Sequence, residues 1–305
     1  MSWVSRGGAE PPTYRLRVPS WPYLIITRTT YPRNNPENRS RAWYSWVLHV
    51  LAPVPKKMGG ITVKFTDEVR QRFPEERERL DQLENFFKQY DDSFRRRCIS
   101  AEKRPERLWG HNAAVLLLTS LSRARLLTAT VIHCVNGGLA PGMYLATRAH
   151  WEMTGLVAHL LHALRRFYDR QMSEGDLETT LRRLALGRRW EIPADVKEDI
   201  SAINAISLVE SAAKLLGKEP VETHVMSCYN LLSEHCHPNL LGRLAGVTLS
   251  DDLRLVEFDP AFTIHGSDIA VCLSHGLSSH GIFLYAYEEC FRLLNEHEEM
   301  PTIEA

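Results

Sequence analysis

The sequence contains no long apolar run, no paired cysteine motif and no secretory signal. Its most apolar stretches are residues 43–53, 113–118 and 126–135, and each is far shorter than the roughly 20 residues that a membrane-spanning helix needs. We therefore expect no membrane span. The six cysteines form no CxxC pair, so we expect reduced thiols and a cytoplasmic protein.

Motifs that would define an activity are also missing. No GxGxxG or Walker loop is present to hold phosphates, no GxSxG to supply a hydrolase nucleophile, and no HExxH to bind zinc. The run Glu234-His235-Cys236-His237 is rich in ligand types, but on a helix His235 and His237 point about 200° apart and cannot hold one ion. We therefore predict no metal and no cofactor, and whether the chain is an enzyme stays open.

Positive charge is scarce in most of the chain. The formal net charge is zero, but residues 1–57 carry nine Lys or Arg against two Glu, which leaves 28 basic and 35 acidic residues in 58–305. An acidic body argues against general nucleic-acid binding, which needs a positive surface.

Residues 1–57 have a composition unlike that of the rest. They hold eight of the 16 prolines and four of the seven tryptophans, with no Asp. Proline at that density blocks regular structure, and no apolar periodicity is present. The segment is a disordered basic leader, a targeting segment, or a non-native extension before a true start at Met58. We favour the start at Met58, because Met58-Gly-Gly-Ile leads directly into a helix, and we predict a single helical domain over 58–305.

The pattern is helical from Thr66 onward. An apolar stripe at three- and four-residue steps marks the first long helix: it consists of Leu80, Leu83, Phe87, Tyr90 and Phe94. Further helices are predicted over 111–135, 141–171, 176–186, 193–216, 220–235 and 268–296. In the fourth of these, Ile206 and Val209 are predicted to face inward.

A change of period interrupts the helices near 246–258. Val247 and Leu249 alternate with polar residues, as do Leu253 and Leu255, and Ser250-Asp251-Asp252 between them is typical of a turn. We therefore predict an all-α fold, a multi-helix bundle with one small β-hairpin near 246–258.

Two of the predicted helices carry stripes of polar residues. Arg148, Glu152, His159 and Arg166 fall within about 40° of one another on the 141–171 helix. On the 220–235 helix and just beyond it, Tyr229, Ser233 and His237 follow at i, i+4 and i+8. If the helices face each other, the guanidinium and carboxylate meet a phenol, a hydroxyl and an imidazole.

This constellation has a structural and a functional interpretation. Because an unpaired buried charge costs roughly 3–5 kcal/mol, the groups would satisfy one another and fix the helix register. In the functional interpretation, His237 acts as acid or base and Arg148 holds an anion such as a phosphate. His237 has a further structural role open to it, because an imidazolium at a helix C-terminus complements the helix dipole.

The two motifs resemble a family of uncharacterised bacterial helical proteins. The resemblance covers residues from about 75 to 297 and rests on Arg148-xxx-Glu152, Tyr229-xxx-Ser233-xxx-His237, the hairpin and the closing helix. That family is similar in outline to the HEPN-like helical domains. The resemblance implies a metal-independent ribonuclease of a toxin or phage-defence system, as many HEPN-like domains are.

The motif of those ribonucleases is an Arg followed by four to six residues and a His. Arg104 to His111 and Arg292 to His297 fit this spacing, but no more often than the composition predicts by chance. The residue after Arg292 is Leu293, where a polar residue is usual. The ribonuclease interpretation therefore depends on Arg148 and His237 meeting in space.

Two functions of different classes follow. We favour a non-catalytic scaffold or interaction module with an unknown partner, for which a homodimer is one expected form. The alternative is a HEPN-like ribonuclease or nucleotide-handling protein of a bacterial defence or toxin system, which would bind RNA. Its predicted catalytic residues are Arg148, Glu152, Tyr229, Ser233 and His237.

Overall fold

Helices make up nearly all of the chain that the structure, a computed structural model, describes. The described residues are 63–95, 98–99, 108–187, 201–217, 219–238, 240–243, 247–249, 256–258, 264–297 and 303–304. They belong to one compact unit, Ile61–Ala305. Residues 1–57 lie outside them, so the proposed leader and the start at Met58 stay predictions.

The helices follow the predicted order. They are α1 (Asp67–Arg72), a 3₁₀ turn (Pro74–Glu76), α2 (Arg77–Arg95), α3 (Leu108–Asn136), α4 (Ala140–Tyr168), α5 (Glu174–Leu186), α6 (Ala205–Leu215), α7 (Glu219–Cys236), α8 (Leu240–Arg243) and α9 (Gly266–Glu296). The predicted all-α class is confirmed for the described residues.

Local chemistry sets several of the helix ends. The Thr66 hydroxyl accepts the Val69 N–H at 3.3 Å and caps α1, as Ser173 caps α5, because these oxygens satisfy N–H groups that have no partner inside the helix. At the end of α3, Gly138 takes a φ of 70°, which glycine adopts without a side-chain clash. The short Gly-Gly turn makes α3 and α4 adjacent.

Three sequence predictions about apolar residues and helix bounds were wrong. Phe94, the last member of the predicted apolar stripe, is 38% exposed, and Ile206, which was predicted to face inward, is 47% exposed. Helix α6 begins at Ala205 rather than at 193, because the Asn204 side chain accepts the Ile206 N–H at 3.1 Å and caps the helix there. Residues 188–200 lie outside the described part of the chain.

Helices α4 and α9 form the centre of the bundle. They pack on each other, and α4 also contacts α3, α5, α6 and α7. Two apolar clusters fill the core along this pair. The first joins the N-terminal half of α4 to α1, α2, α6 and α7, and the second joins its C-terminal half to α3, α5 and the C-terminal half of α9. The polar groups of α4 therefore face several neighbours at once.

Short paired segments lie outside the helices. Val247–Leu249 (β2) pairs antiparallel with Val256–Phe258 (β3), and Cys98–Ile99 (β1) pairs with Ile303–Glu304 (β4). Residues 250–255, which hold the predicted hairpin turn, lie outside the described residues. The structure therefore supports the all-α class, and the complete hairpin is left as a proposal.

Two helices within the described residues are long and apolar enough to cross a membrane by length and composition. They are Trp109–Asn136 and Gly266–Glu296, and half of the most apolar stretch of each helix is buried against the rest of the protein. Neither helix contains an uninterrupted apolar run of about 20 residues, which is why the sequence predicted no membrane span. Core helices of soluble proteins pass the same test, since burial among other helices also demands apolar residues.

Candidate functional site

The structure brings three of the five predicted site residues into direct contact. Arg148 and Glu152 lie on α4, and Tyr229 comes from α7. The Tyr229 hydroxyl accepts a hydrogen bond from Nη2 of Arg148 at 3.2 Å and donates one to Oε1 of Glu152 at 3.0 Å. Nη2 of Arg148 and Oε1 of Glu152 are themselves 3.3 Å apart. We call Arg148, Glu152 and Tyr229 the polar clamp.

The polar clamp lies at the edge of the bundle. Tyr229 is 4% exposed, whereas the side chains of Arg148 and Glu152 are 24% and 36% exposed. The Arg148 guanidinium carbon also lies 5.4 Å from the centroid of the Tyr229 ring, a cation–π distance. One face of the charge pair is therefore in solvent, and the phenol that joins it is not.

Burial and neighbouring charge act on the clamp in opposite directions. Burial lowers the pKa of Arg148, but the Tyr229 hydrogen bond and the Glu152 charge outweigh it, so that the pKa is raised overall. Burial is also the main cause that raises the pKa of Tyr229, with Arg148 opposing it. The guanidinium therefore stays charged and the phenol stays protonated at neutral pH.

Ser233 and His237 do not join the clamp among the described residues. The Ser233 hydroxyl donates to the Tyr229 carbonyl oxygen of its own helix at 2.8 Å. His237 is exposed and follows the last residue of α7, and its backbone N–H donates to the Ser233 carbonyl at 3.0 Å. At 100° per residue, His237 is already about 80° from Tyr229 around the helix axis. The predicted meeting of Arg148 and His237 is absent from the described contacts.

Cys236, rather than His237, lies on the same side of α7 as Tyr229. Seven residues after Tyr229, it returns to within about 20° of that side chain. Burial raises the pKa of Cys236, and the nearby Arg148 guanidinium opposes this effect. Nε of Arg148 is buried and has no hydrogen-bond partner in the described part of the structure.

A second contact extends the polar stripe of α4 by one turn and was missed by the sequence analysis. Tyr144 stacks on the His235 ring, with 4.1 Å between centroids and 5° between planes, and its hydroxyl donates to Oδ1 of Asp268 at 3.2 Å. Burial lowers the pKa of His235, while Asp268 and Glu234 oppose it. Because Tyr144 is four residues before Arg148, the i, i+4 spacing was a signal for this contact.

The sequence analysis also missed a fully buried network in the core. The Tyr90 hydroxyl of α2 lies 3.2 Å from Nε2 of His150 on α4 and 3.0 Å from Nδ1 of His280 on α9. Nδ1 of His150 lies 2.9 Å from the Ser279 hydroxyl, which itself donates to the Gly276 carbonyl at 2.7 Å. Apolar periodicity places Tyr90 on the apolar stripe of α2 but does not reveal the partners of its hydroxyl. His150, Ser279 and His280 look like interruptions of apolar faces.

One order of donors and acceptors gives every group in this network a partner. Since Ser279 uses its only proton on Gly276, Nδ1 of His150 is the donor to Ser279, and Nε2 of His150 must accept from Tyr90. The Tyr90 oxygen then accepts from Nδ1 of His280. Burial lowers the pKa of His150 to about 3 and that of His280 well below its usual value. Both imidazoles are therefore neutral at neutral pH.

The other residues of the predicted α4 stripe face different surroundings. Nδ1 of His159 lies 3.0 Å from the Ser211 hydroxyl of α6, and Arg166 is exposed. Two surface depressions, of about 620 and 430 Å³, are lined by residues of 74–85 and by residues of 89–93 and 284–288, away from the clamp. No group of three or more His, Cys, Asp or Glu suited to a metal ion occurs within the described ranges.

Comparisons with known proteins gave no match: no family model, no curated protein and no solved structure matches this chain. The resemblance to the bacterial family and to HEPN-like domains therefore stays a prediction from the two sequence motifs.

Proposed function

We propose that this protein is a non-catalytic helical scaffold or interaction module, and that the polar clamp serves to hold α7 against α4. The observation that carries the proposal is the Tyr229 hydroxyl, which uses its acceptor on Arg148 and its donor on Glu152. A hydroxyl with both functions engaged has no proton free to give to a substrate. The serine and histidine that a catalytic interpretation needs lie outside the clamp.

The alternative is the HEPN-like ribonuclease or nucleotide-handling protein of a bacterial defence or toxin system. One observation favours it: the Arg148 side chain is 24% exposed, so that part of the guanidinium stays accessible to an anion. In this alternative His235, whose ring stacks on Tyr144 one turn before Arg148 on α4, is tested beside His237 as the imidazole.

One expression experiment separates the two functions. The full chain and its Arg148→Ala, His235→Ala and His237→Ala variants are expressed in bacteria, and the integrity of cellular RNA and the melting temperature of each purified protein are measured. As a scaffold, the chain leaves RNA intact, and Arg148→Ala lowers the melting temperature by about 2–4 °C per kcal/mol lost, whereas His237→Ala does not.

A nuclease gives the opposite pattern. The unaltered chain then degrades RNA, and Arg148→Ala removes this activity while the melting temperature stays within a degree or two of the unaltered chain. Degradation that survives in all three variants would point to a contaminating activity, and the scaffold proposal would stand.

We further propose that the protein resides in a reducing cytoplasm. The cysteines with described side chains are all free thiols: Cys134, Cys228, Cys236, Cys272 and Cys290. Free thiols support a reducing compartment, because oxidising compartments favour disulfides. Fractionation of cells that express the full chain tests this, with the protein expected in the soluble cytoplasmic fraction and not in the membrane or periplasmic fractions.

We also keep the β-hairpin near 246–258 as a proposal. It is supported by the register of β2 and β3, in which Val247 pairs with Phe258 and Leu249 pairs with Val256. Backbone amide exchange over these two segments would test it.

A further inference from the structure

Basic residues gather where α4, α5 and α6 meet, about 16 Å along α4 from the polar clamp at 1.5 Å per residue. We call this group the basic cluster, and it consists of His159, His162, Arg183 and Lys214. Both histidines are half-buried, and the arginine and the lysine are exposed. The cluster stands out because the chain from residue 58 onward carries more acidic than basic residues.

Ser211 of α6 fixes the orientation of both imidazoles. Its hydroxyl donates to the Ser207 carbonyl at 2.9 Å, so that Nδ1 of His159, 3.0 Å away, must be the donor to the Ser211 oxygen. Nε2 of His162 donates to the Ser211 carbonyl at 3.0 Å. Each neutral ring therefore has one nitrogen bound and the other free to take up a proton.

The surroundings of the two rings are positive. Burial lowers the pKa of His159, and His162, Arg183 and Lys214 lower it further. Burial likewise lowers the pKa of His162, with Arg165 and Lys214 acting in the same direction. The hydrogen bond to Ser211 opposes this for His162. Every charged group that shifts either pKa is therefore a cation.

Among the described residues, no carboxylate forms an ion pair with a cation of the basic cluster. Arg165 is paired with Glu289 at 3.2 Å and faces away toward α9. Glu210 precedes Lys214 by one turn of α6, but no described ion pair joins them. Arg183 donates through Nε to the Ser201 carbonyl at 3.2 Å, which holds the guanidinium in place and leaves its other donors available.

We propose that the basic cluster is a binding site for a phosphate group, carried either by a small molecule or by a nucleic acid. Arginine offers several donors in a fixed plane and lysine a mobile point charge, and both are common phosphate ligands. An arriving dianion favours the protonated imidazoles, so the free nitrogens of the two rings take up protons on binding. This inference is independent of the proposed scaffold function.

Binding should be linked to pH. In the free protein the cluster holds its imidazoles neutral near pH 7, because burial and the neighbouring cations oppose their charging. A bound dianion reverses that effect, so the affinity for a dianion that does not itself take up protons in this range, such as sulfate, rises as the pH falls from about 8 to about 6. Nothing in the polar clamp contributes to this dependence.

The test uses calorimetry on the full chain, with chloride at matched ionic strength as reference. It measures binding of sulfate, which stays a dianion, at about pH 6 and about pH 8, and binding of inorganic phosphate at about pH 8. The double variant Arg183→Ala/Lys214→Ala removes two exposed cations, and Arg123→Ala/Lys88→Ala removes two exposed cations from α3 and α2 as the matched control. We expect sulfate to bind more tightly at the lower pH and phosphate to bind at the higher one. The first variant should bind at least about tenfold more weakly, the loss of one charge-assisted hydrogen bond, and the control should be unchanged.

Imidazole NMR signals supply a second readout. Phosphate should raise the pKa of both His159 and His162, and the Arg183→Ala/Lys214→Ala protein should lose that response. Absence of binding to the unaltered chain, equal binding by both double variants, or an equal effect of chloride would overturn the proposal. A nucleoside monophosphate that binds more tightly than phosphate identifies a small-molecule source, and a short oligoribonucleotide that binds more tightly than either identifies a nucleic acid.

Discussion

At the scale of single residues, the molecule depends on polar groups that its core has to satisfy. Tyr90, His150 and His280 are buried on three different helices, and each needs the others because a buried polar group without a partner costs about 1–3 kcal/mol. The order of donors runs from His280 through Tyr90 and His150 to Ser279. A chain of this kind holds α2, α4 and α9 in a single register, because a shift of any helix breaks it.

Replacing Tyr90 with Phe should therefore destabilise the protein. Tyr90→Phe keeps the ring but leaves two imidazole nitrogens without their partner, so the free energy of unfolding should fall by about 1–3 kcal/mol in urea denaturation. Tyr285→Phe is the matched control. Tyr285 is 49% exposed, and its hydroxyl accepts a hydrogen bond from Arg165 at the surface. The free energy of unfolding of Tyr285→Phe should therefore stay within about 0.5 kcal/mol of that of the unaltered chain. Equal effects of the two variants would contradict the role assigned to the buried network.

The same network predicts how stability depends on pH. Its folded-state histidine pKa values lie below the ordinary 6.5, at about 3 for His150 and far below 6.5 for His280. The unfolded chain therefore binds more protons than the folded chain below about pH 6.5. Stability is complete above that pH and is lost as the pH falls toward 3, by about 1.4 kcal/mol per pH unit for each such histidine.

Urea unfolding over this pH range would measure the loss. His150→Gln should make the slope shallower, because one of the two groups no longer titrates. His237→Ala should leave it unchanged, since that residue is exposed. A stability that is flat from pH 6.5 to pH 4 would show that these imidazoles are not held neutral in the fold.

At the scale of helices and strands, the packing of α4 on α6 depends on one small residue. A Cβ placed on Gly155 would lie 2.4 Å from the backbone carbonyl carbon and oxygen of Leu208, far inside van der Waals contact. The two helix backbones approach each other at this point. Only glycine allows that approach without a shift of one helix.

Alanine at Gly155 should therefore be costly, although alanine favours helices. Gly155→Ala is expected to lower the free energy of unfolding by about 1–3 kcal/mol through overpacking. Gly281→Ala on α9 is the matched control, because its Cβ would meet nothing within 4 Å, and it should raise the stability by about 0.5–1 kcal/mol. The two variants should therefore change the free energy of unfolding in opposite directions. A stabilising Gly155→Ala would rule out the close approach of α4 and α6.

Helix positions were largely predictable at this scale, whereas the buried face of α4 was not. Apolar periodicity, proline and Gly-Gly signals act locally, so they gave the order of helices and most ends to within a few residues. The apolar pattern of α4 gave no sign of its buried polar residues: His150 and Thr154 are fully buried, although neither belongs to an apolar stripe. A helix packed on five neighbours is buried on most sides, and a single stripe cannot represent that.

The candidate site was predictable only in part for a similar reason. The i, i+4 pair Arg148 and Glu152 was visible in the sequence, and Tyr229 was selected as its partner. His237 failed because α7 ends at Cys236, one residue before it. The contact of Tyr144 with His235 depends on where α9 places Asp268, a position more than 100 residues away in sequence that no local pattern can report.

At the scale of the whole molecule, the described helices form a bundle organised around α4. This helix supplies the polar clamp toward α7, the buried histidine toward α2 and α9, and the basic cluster toward α5 and α6. Its separate polar groups therefore face separate neighbours. That arrangement fits a scaffold in which buried polar contacts fix the positions of the helices. Ligands or partners would then bind at the surface.

The measurement that tests this account most directly is a double-mutant cycle across the clamp, with Glu152→Ala, Tyr229→Phe and their combination unfolded in urea. If the clamp holds α7 on α4, the two changes are not additive and their coupling is about 1 kcal/mol or more, within the usual range for contacting residues. Tyr229→Phe and His237→Ala should be additive. A coupling between Glu152 and Tyr229 that stays within about 0.3–0.5 kcal/mol of zero would contradict the structural role of the clamp.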